Sequence, residues 1–124
     1  LAFGYIEYRI MKPLPLVTSL AWQEVWLPAL ILLVCTGFAE ELIFRGIMQP
    51  VIAETLGAWA VLYTSFLFAM LHMGYRSITD VVFVFGVGLV FGVVREYTDS
   101  IVGISIAHGV TNIMLFMVMP LLVA

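Results

Sequence analysis

Four apolar runs, approximately 24 to 47, 57 to 73, 78 to 94 and 101 to 121, take up most of the 124 residues. An α-helix rises 1.5 Å per residue, so about 20 residues cross a hydrocarbon core of roughly 30 Å. Each run is close to that requirement. Transmembrane strands would need short alternating segments and a closed barrel far larger than this chain can supply. The expected fold class is therefore all-α, a polytopic transmembrane helix bundle with about four membrane helices. Composition points the same way. Some 64% of residues are hydrophobic and 10% charged, against roughly 25% charged in a soluble domain. A soluble domain of this size would leave roughly a third of its surface exposed, too much for so apolar a chain.

Charge excludes one large class of partner. With 5 Lys+Arg against 8 Asp+Glu, a formal charge of -3 and no basic run, the chain lacks the clustered cations on which phosphate-backbone binding rests. No nucleic-acid partner is expected. Cys35 is the lone cysteine; it can form no disulfide within the chain and reads as buried packing. The opening lacks an initiating Met and the basic, apolar, small-residue order of a cleaved signal, so a piece of a longer protein is expected.

Arg9, Lys12, Pro13 and Pro15 mark residues 1–22 as an interfacial or connecting segment, and 23–124 as the membrane-embedded core. Trp22 and Trp26 suit a headgroup layer. Pro50 and Gly57 mark the second boundary. In HMGYRSITD, Ser77, Thr79 and Asp80 offer helix caps, and Asp99 or Ser100 does so in REYTDS. Gly86, Gly88 and Gly92 are small positions that permit close helix approach. Arg9, Lys12 and Arg76 against Arg95 slightly favour a cytoplasmic N-terminal side.

Glu40, Glu41 and Arg45 fall inside the first long apolar run, in CTGFAEELIFRGIM. A charge at a bilayer centre costs roughly 2.5 to 3.5 kcal/mol even on the cheaper scales, so such residues are paired, cavity-facing or functional. Glu41 and Arg45 share a helix face at a spacing suited to an ion pair, so Arg45 reads mainly as holding a carboxylate, with substrate contact as its second reading. Glu40 is rotated by about 100° and is the freer candidate base. His72 follows Phe68 by four residues, which makes Phe68 packing that limits the imidazole. His108 and Asn112 are again four apart, and both can donate to a developing anion. Glu54, Asp80 and Glu96 lie near predicted ends and read as solvated or capping.

Water between Glu40 and His72 could lose a proton to the carboxylate and attack a carbonyl carbon, with His108 and Asn112 holding the oxyanion. Two other chemistries use similar residues. Glu40, His72 and His108 form a possible zinc ligand set, although no HExxH occurs, and no cofactor is expected. Ser65 and Ser105 sit outside any GxSxG and lack a clear base partner. A non-enzymatic membrane immunity or transport module, using the same buried polar residues for binding or proton passage, is the alternative to an enzyme. One difficulty stands: simple alternating helices put His72 on the order of 10 Å from the depth of Glu40 and His108. A recessed second helix, one continuing past Met73, or a strong tilt would be needed.

EELIFR at 40 to 45, FAMLH at 68 to 72 and HGVTN at 108 to 112 match EExxxR, FxxxH and HxxxN in order. In these motifs the chain resembles the CAAX protease and bacteriocin-processing family of intramembrane glutamate endopeptidases. The resemblance implies that Glu40 activates water with His72, that His108 and Asn112 stabilise the oxyanion, and that Glu41, Arg45 and Phe68 support the site or touch substrate. It also implies a peptide or protein substrate, in some relatives a prenylated CAAX protein, in bacterial members peptide processing or self-immunity. The setting expected is a bacterial or archaeal cell membrane, with membrane lipids as the surroundings.

Overall fold

Polar side chains turn inward in this protein and large apolar ones outward, as a bilayer demands. The computed structural model describes residues 1–75 and 77–123; Arg76, counted above toward sidedness, lies outside them. Helix α1 spans Ala2–Met11, α2 Trp22–Leu56, α3 Trp59–Leu71, α4 Ile78–Thr98 and α5 Val102–Leu122. No strand occurs among the described residues. On α2 the exposed side chains include Leu27, Leu30, Ile31, Val34, Phe38, Leu42 and Ile43, whereas Glu41, Arg45 and Gln49 are fully buried. That inversion is stable only where the surroundings are apolar and the interior satisfies the polar groups.

Three helices, α2, α4 and α5, are long and apolar enough to cross a membrane. The fourth apolar run is shorter: α3 covers 13 residues and continues as a tight 3₁₀ turn over His72–Tyr75. Helix α2, in contrast, runs nine residues past the expected 47, ending at Leu56 before a turn at Gly57, whose φ of 53° suits glycine. These two lengths remove the depth difficulty. Measured from the Gly57 turn, Glu40 lies up α2 and His72 up α3 by about 20–25 Å each at 1.5 Å per residue.

Glycines set the distances between helices. A Cβ on Gly37 would lie 2.7 Å from the Ser105 carbonyl oxygen and 2.8 Å from Gly109 Cα, and one on Gly109 would lie 2.7 Å from Leu33 Cδ2. Helices α2 and α5 therefore cross backbone to backbone beside the glutamates on one and His108 on the other. Of the α4 glycines, Gly88 and Gly92 face neighbours closely while Gly86 has open space. Arg45 donates to the Gly88 carbonyl at 3.1 Å and Gln49 to the Gly92 carbonyl at 3.0 Å. These two rungs, four residues apart on both helices, tie α2 to α4. Helix α1 packs on α5 and α4, with Gly4 so close that an added Cβ would meet Met114 Cβ at 2.6 Å and the Thr111 carbonyl oxygen at 2.7 Å.

Candidate active site

The Glu40–Glu41 pair stands between two stretches of wide π turns, Leu32–Phe38 and Leu42–Met48, and a third, Met114–Val118, follows Asn112 on α5. Such turns insert extra residues into a helix and recur at functional sites. Here they flank Glu40 and Glu41 on both sides along α2, include Arg45, and follow His108 and Asn112 on α5.

Glu41 is the centre of a buried network. Its Oε1 accepts from Arg45 Nη1 at 3.0 Å and from His108 Nδ1 at 2.8 Å, and none of its surface is exposed. A carboxylate oxygen facing a ring nitrogen can only accept, so Nδ1 carries the proton and Nε2 is the edge turned elsewhere. That edge faces Glu40, whose Oε2 lies 3.8 Å from Nε2. Glu40 keeps 31% of its side chain exposed. The two adjacent glutamates thus divide: one is locked between Arg45 and His108, and the other is accessible beside the same imidazole.

Arg45 is equally enclosed. Besides Glu41 and the Gly88 carbonyl, its guanidinium sits 4.3 Å above the Phe68 ring, a favourable cation–π position. Fully buried, it presents no surface to a substrate in this structure. Phe68 is the hub of the aromatic packing. Its ring meets Phe44 at 5.2 Å, His72 at 5.0 Å and His108 at 5.7 Å between centroids. Both imidazoles are thereby held against one aromatic ring.

His72 donates from Nδ1 to the Phe68 carbonyl at 3.1 Å, because a carbonyl can only accept; its Nε2 is then the basic nitrogen. Asn112 donates from Nδ2 to Thr36 Oγ1 at 2.9 Å, and Thr36 in turn donates to the Leu32 carbonyl. Thr36 is a site neighbour that sequence reasoning passed over; its place one turn before Glu40 was the available signal.

His72, His108 and Asn112 wall one small cavity, which also has Phe68, Thr111 and Glu7 in its lining. The cavity offers about 20 Å³ to the centre of a water-sized sphere, against roughly 10–15 Å³ needed for one water. Glu40 is not part of that lining; it adjoins through His108 and lies within electrostatic reach of both His108 and His72. Among the described residues no group of three or more His, Cys, Asp or Glu is arranged to hold a metal ion. Among the described residues Ser65 and Ser105 are buried with no hydrogen-bond partner for either hydroxyl, so no base engages either one. Cys35, expected as buried packing, is instead exposed, as the apolar side chains on the outer side of α2 are.

Two carboxyl groups stand elsewhere than expected. Asp80 is fully buried and both of its oxygens lack hydrogen-bond partners among the described residues, although its position near a helix start suggested a solvated or capping role. Ser77 is the cap, accepting from the Asp80 backbone N–H at 3.2 Å, and the Asp80 carboxylate points inward within electrostatic reach of His72. Glu7, from the segment expected to be interfacial or connecting, is 7% exposed. Burial, and then the negative charge of Asp80, push its pKa up to about 8. Its advance signal was a carboxylate three residues after a glycine in a largely apolar helix.

No curated protein and no solved structure gives a significant match. A family profile does: that of the type II CAAX prenyl endopeptidase Rce1-like proteins matches residues 22–114. This stretch holds α2, α3, α4 and the part of α5 that carries His108 and Asn112. With three membrane-length helices, buried polar side chains and that match over most of its length, the chain belongs to the type II CAAX prenyl endopeptidase Rce1-like family of membrane proteases.

Proposed function

We propose that this protein hydrolyses a peptide bond within the membrane, using a water activated by Glu40 and His72, without a covalent intermediate and without a metal ion. The observation that carries the reading is the grouping of His72, His108 and Asn112 around one water-sized cavity, with the accessible Glu40 3.8 Å from His108. The hydrogen bonds support distinct roles. His72, its Nδ1 proton given to Phe68, can accept from water at Nε2. Glu40 takes the water proton as hydroxide attacks the carbonyl carbon. His108 already spends its Nδ1 proton on Glu41, so it stabilises an oxyanion only when Nε2 is protonated as well, and Glu40 is the adjacent group able to pass it that proton. Asn112 has two amide hydrogens, one on Thr36 and one for the oxyanion. Glu41, Arg45 and Phe68 keep His108 in this orientation.

The family points to a substrate of CAAX type, a prenylated protein or peptide entering from the lipid, or to peptide processing in a bacterial or archaeal membrane. The direct test is purified protein in detergent or vesicles with a prenylated CAAX peptide. Glu40→Gln should reduce cleavage by at least 10²-fold with the thermal midpoint unchanged. Exhaustive chelation should leave the wild-type rate intact, with no metal found by elemental analysis. Wild-type cleavage that survives in E40Q would sink the mechanism. If neither protein cleaves and an immunity or transport phenotype persists in E40Q, the non-enzymatic alternative takes its place.

A further inference from the structure

Peptide hydrolysis requires three services: removal of a proton from water, stabilisation of the oxyanion, and delivery of a proton to the departing amine, which is too basic to leave as an anion. The first two have residues above; the third has none. We infer that Glu7 is the acid that protonates the leaving nitrogen, a role that rests on the hydrolytic reading just proposed.

Glu7 lines the same cavity as His72, His108 and Asn112, and it is brought there by the tight seat of α1 on α5. Gly4, one turn earlier on the same face, lies against the Thr111 carbonyl and Met114, so the carboxyl group three residues later falls against the turn that bears His108 and Asn112. It is more than nine-tenths buried, yet among the described residues no hydrogen bond or ion pair engages it. Arg9, the cation nearest in sequence, instead donates to the Tyr5 hydroxyl on the exposed side of α1. A buried carboxyl group without a partner is a disfavoured arrangement unless it serves a ligand.

Elimination among the cavity walls leads to the same residue. Thr111 spends its hydroxyl proton on the Ala107 carbonyl at 2.9 Å, Asn112 is not acidic, and both imidazoles have tasks. The groups facing Glu7 from the helices packed on it are Asp80 on α4 and His108 on α5, with His72 across the cavity. Burial and the Asp80 charge hold Glu7 protonated up to about pH 8, the state an acid must have when substrate arrives.

The proton balance closes. As the tetrahedral adduct collapses, the C–N bonding pair moves to nitrogen, which takes the Glu7 proton and leaves as a neutral amine. The carbonyl carbon keeps the oxygen from water as a carboxylic acid. The proton taken from water by Glu40, and held on His108 while the oxyanion stands, returns through cavity water to the Glu7 carboxylate, restoring all three groups.

The leaving group supplies the test. An S-farnesyl-cysteine p-nitrophenyl ester releases a phenolate that needs no proton, whereas a farnesylated CAAX peptide must release an amine. With full-length chain in detergent, Glu7→Gln should lower kcat on the peptide by about 10²-fold with little change in KM, and alter ester hydrolysis by less than about 3-fold. Glu7→Asp should recover part of the peptide rate. Wild-type peptide turnover should fall above about pH 8, a limb absent with the ester. Equal losses on both substrates would make Glu7 structural, and no loss on either would remove it from the reaction; both overturn the inference. Glu40→Gln, assayed alongside, should lose both substrates. If E40Q retains both, the water-activation scheme fails whatever E7Q does, and if wild type cleaves neither, the acid has no reaction to serve.

Discussion

Arg45 shows how a single residue can be read in sequence yet understood only in space. The i, i+4 spacing to Glu41 made the pair legible, and the 3.0 Å contact is there. The Gly88 carbonyl and the Phe68 ring that complete its surroundings come from helices distant in sequence. Removing one member of a buried pair leaves the other charge uncompensated, at about 3–5 kcal/mol. Arg45→Leu should therefore lower thermal stability strongly in detergent, and the double substitution E41L/R45L should recover much of the loss; additive losses would contradict the pairing. Glu7 yields a second prediction, on pH. Its pKa is about 8 in the folded protein against 4.5 for the ordinary group, so between those values the folded chain binds the extra proton. Its contribution to stability is full below about pH 4.5 and is lost as pH rises toward 8. The thermal midpoint of E7Q relative to wild type should rise by a few degrees from pH 5 to pH 8; a constant difference would refute the burial of that carboxyl group.

At the scale of helices, glycine position outweighs glycine number. Gly37 and Gly109 let α2 and α5 cross at backbone contact, which is what brings the glutamates of one within reach of His108 on the other. Gly37→Ala must push backbone apart. It should cost about 1–3 kcal/mol and should also slow turnover, because Glu40 and His108 separate together with the helices. Gly86 has no neighbour within contact range, so Gly86→Ala should be neutral or stabilise by up to about 1 kcal/mol through helix propensity. Thermal midpoints of the two variants check both statements. In sequence the Gly88 to Gly92 spacing was a weak signal on its own; the partner helices are what set Gly88 and Gly92 apart from Gly86. Helix lengths behaved similarly. Apolar runs located the segments, but the extension of α2 to Leu56 and the short α3 depend on where the turn at Gly57 forms.

The whole molecule is an inside-out arrangement, with Glu41, Arg45, Gln49 and Asp80 fully buried and a coat of Leu, Ile, Val and Phe outside. Water cannot solvate such a coat without exposing a very large apolar surface. The protein should remain in the pelleted membrane after high-salt and alkaline carbonate washes and enter solution only with detergent; release by carbonate would contradict the bundle. The connection between α1 and the site also belongs to this scale. A short helix from the segment expected to be interfacial or connecting closes one side of the cavity, so residues remote from all three motifs complete its wall.

Composition and hydropathy determined the solvent, the helical class and the inward placement of polar residues, because an unsatisfied charge or backbone group in hydrocarbon is too unfavourable for other solutions. Spacing determined the pairs that lie on one helix: Glu41 with Arg45, Phe68 with His72, His108 with Asn112. Only the tertiary structure decided which glutamate is locked and which is accessible, that His72 lies level with the others, and that Glu7 and Asp80 are interior. Each of those depends on the crossing of helices far apart in sequence, and local periodicity carries no information about which faces will meet.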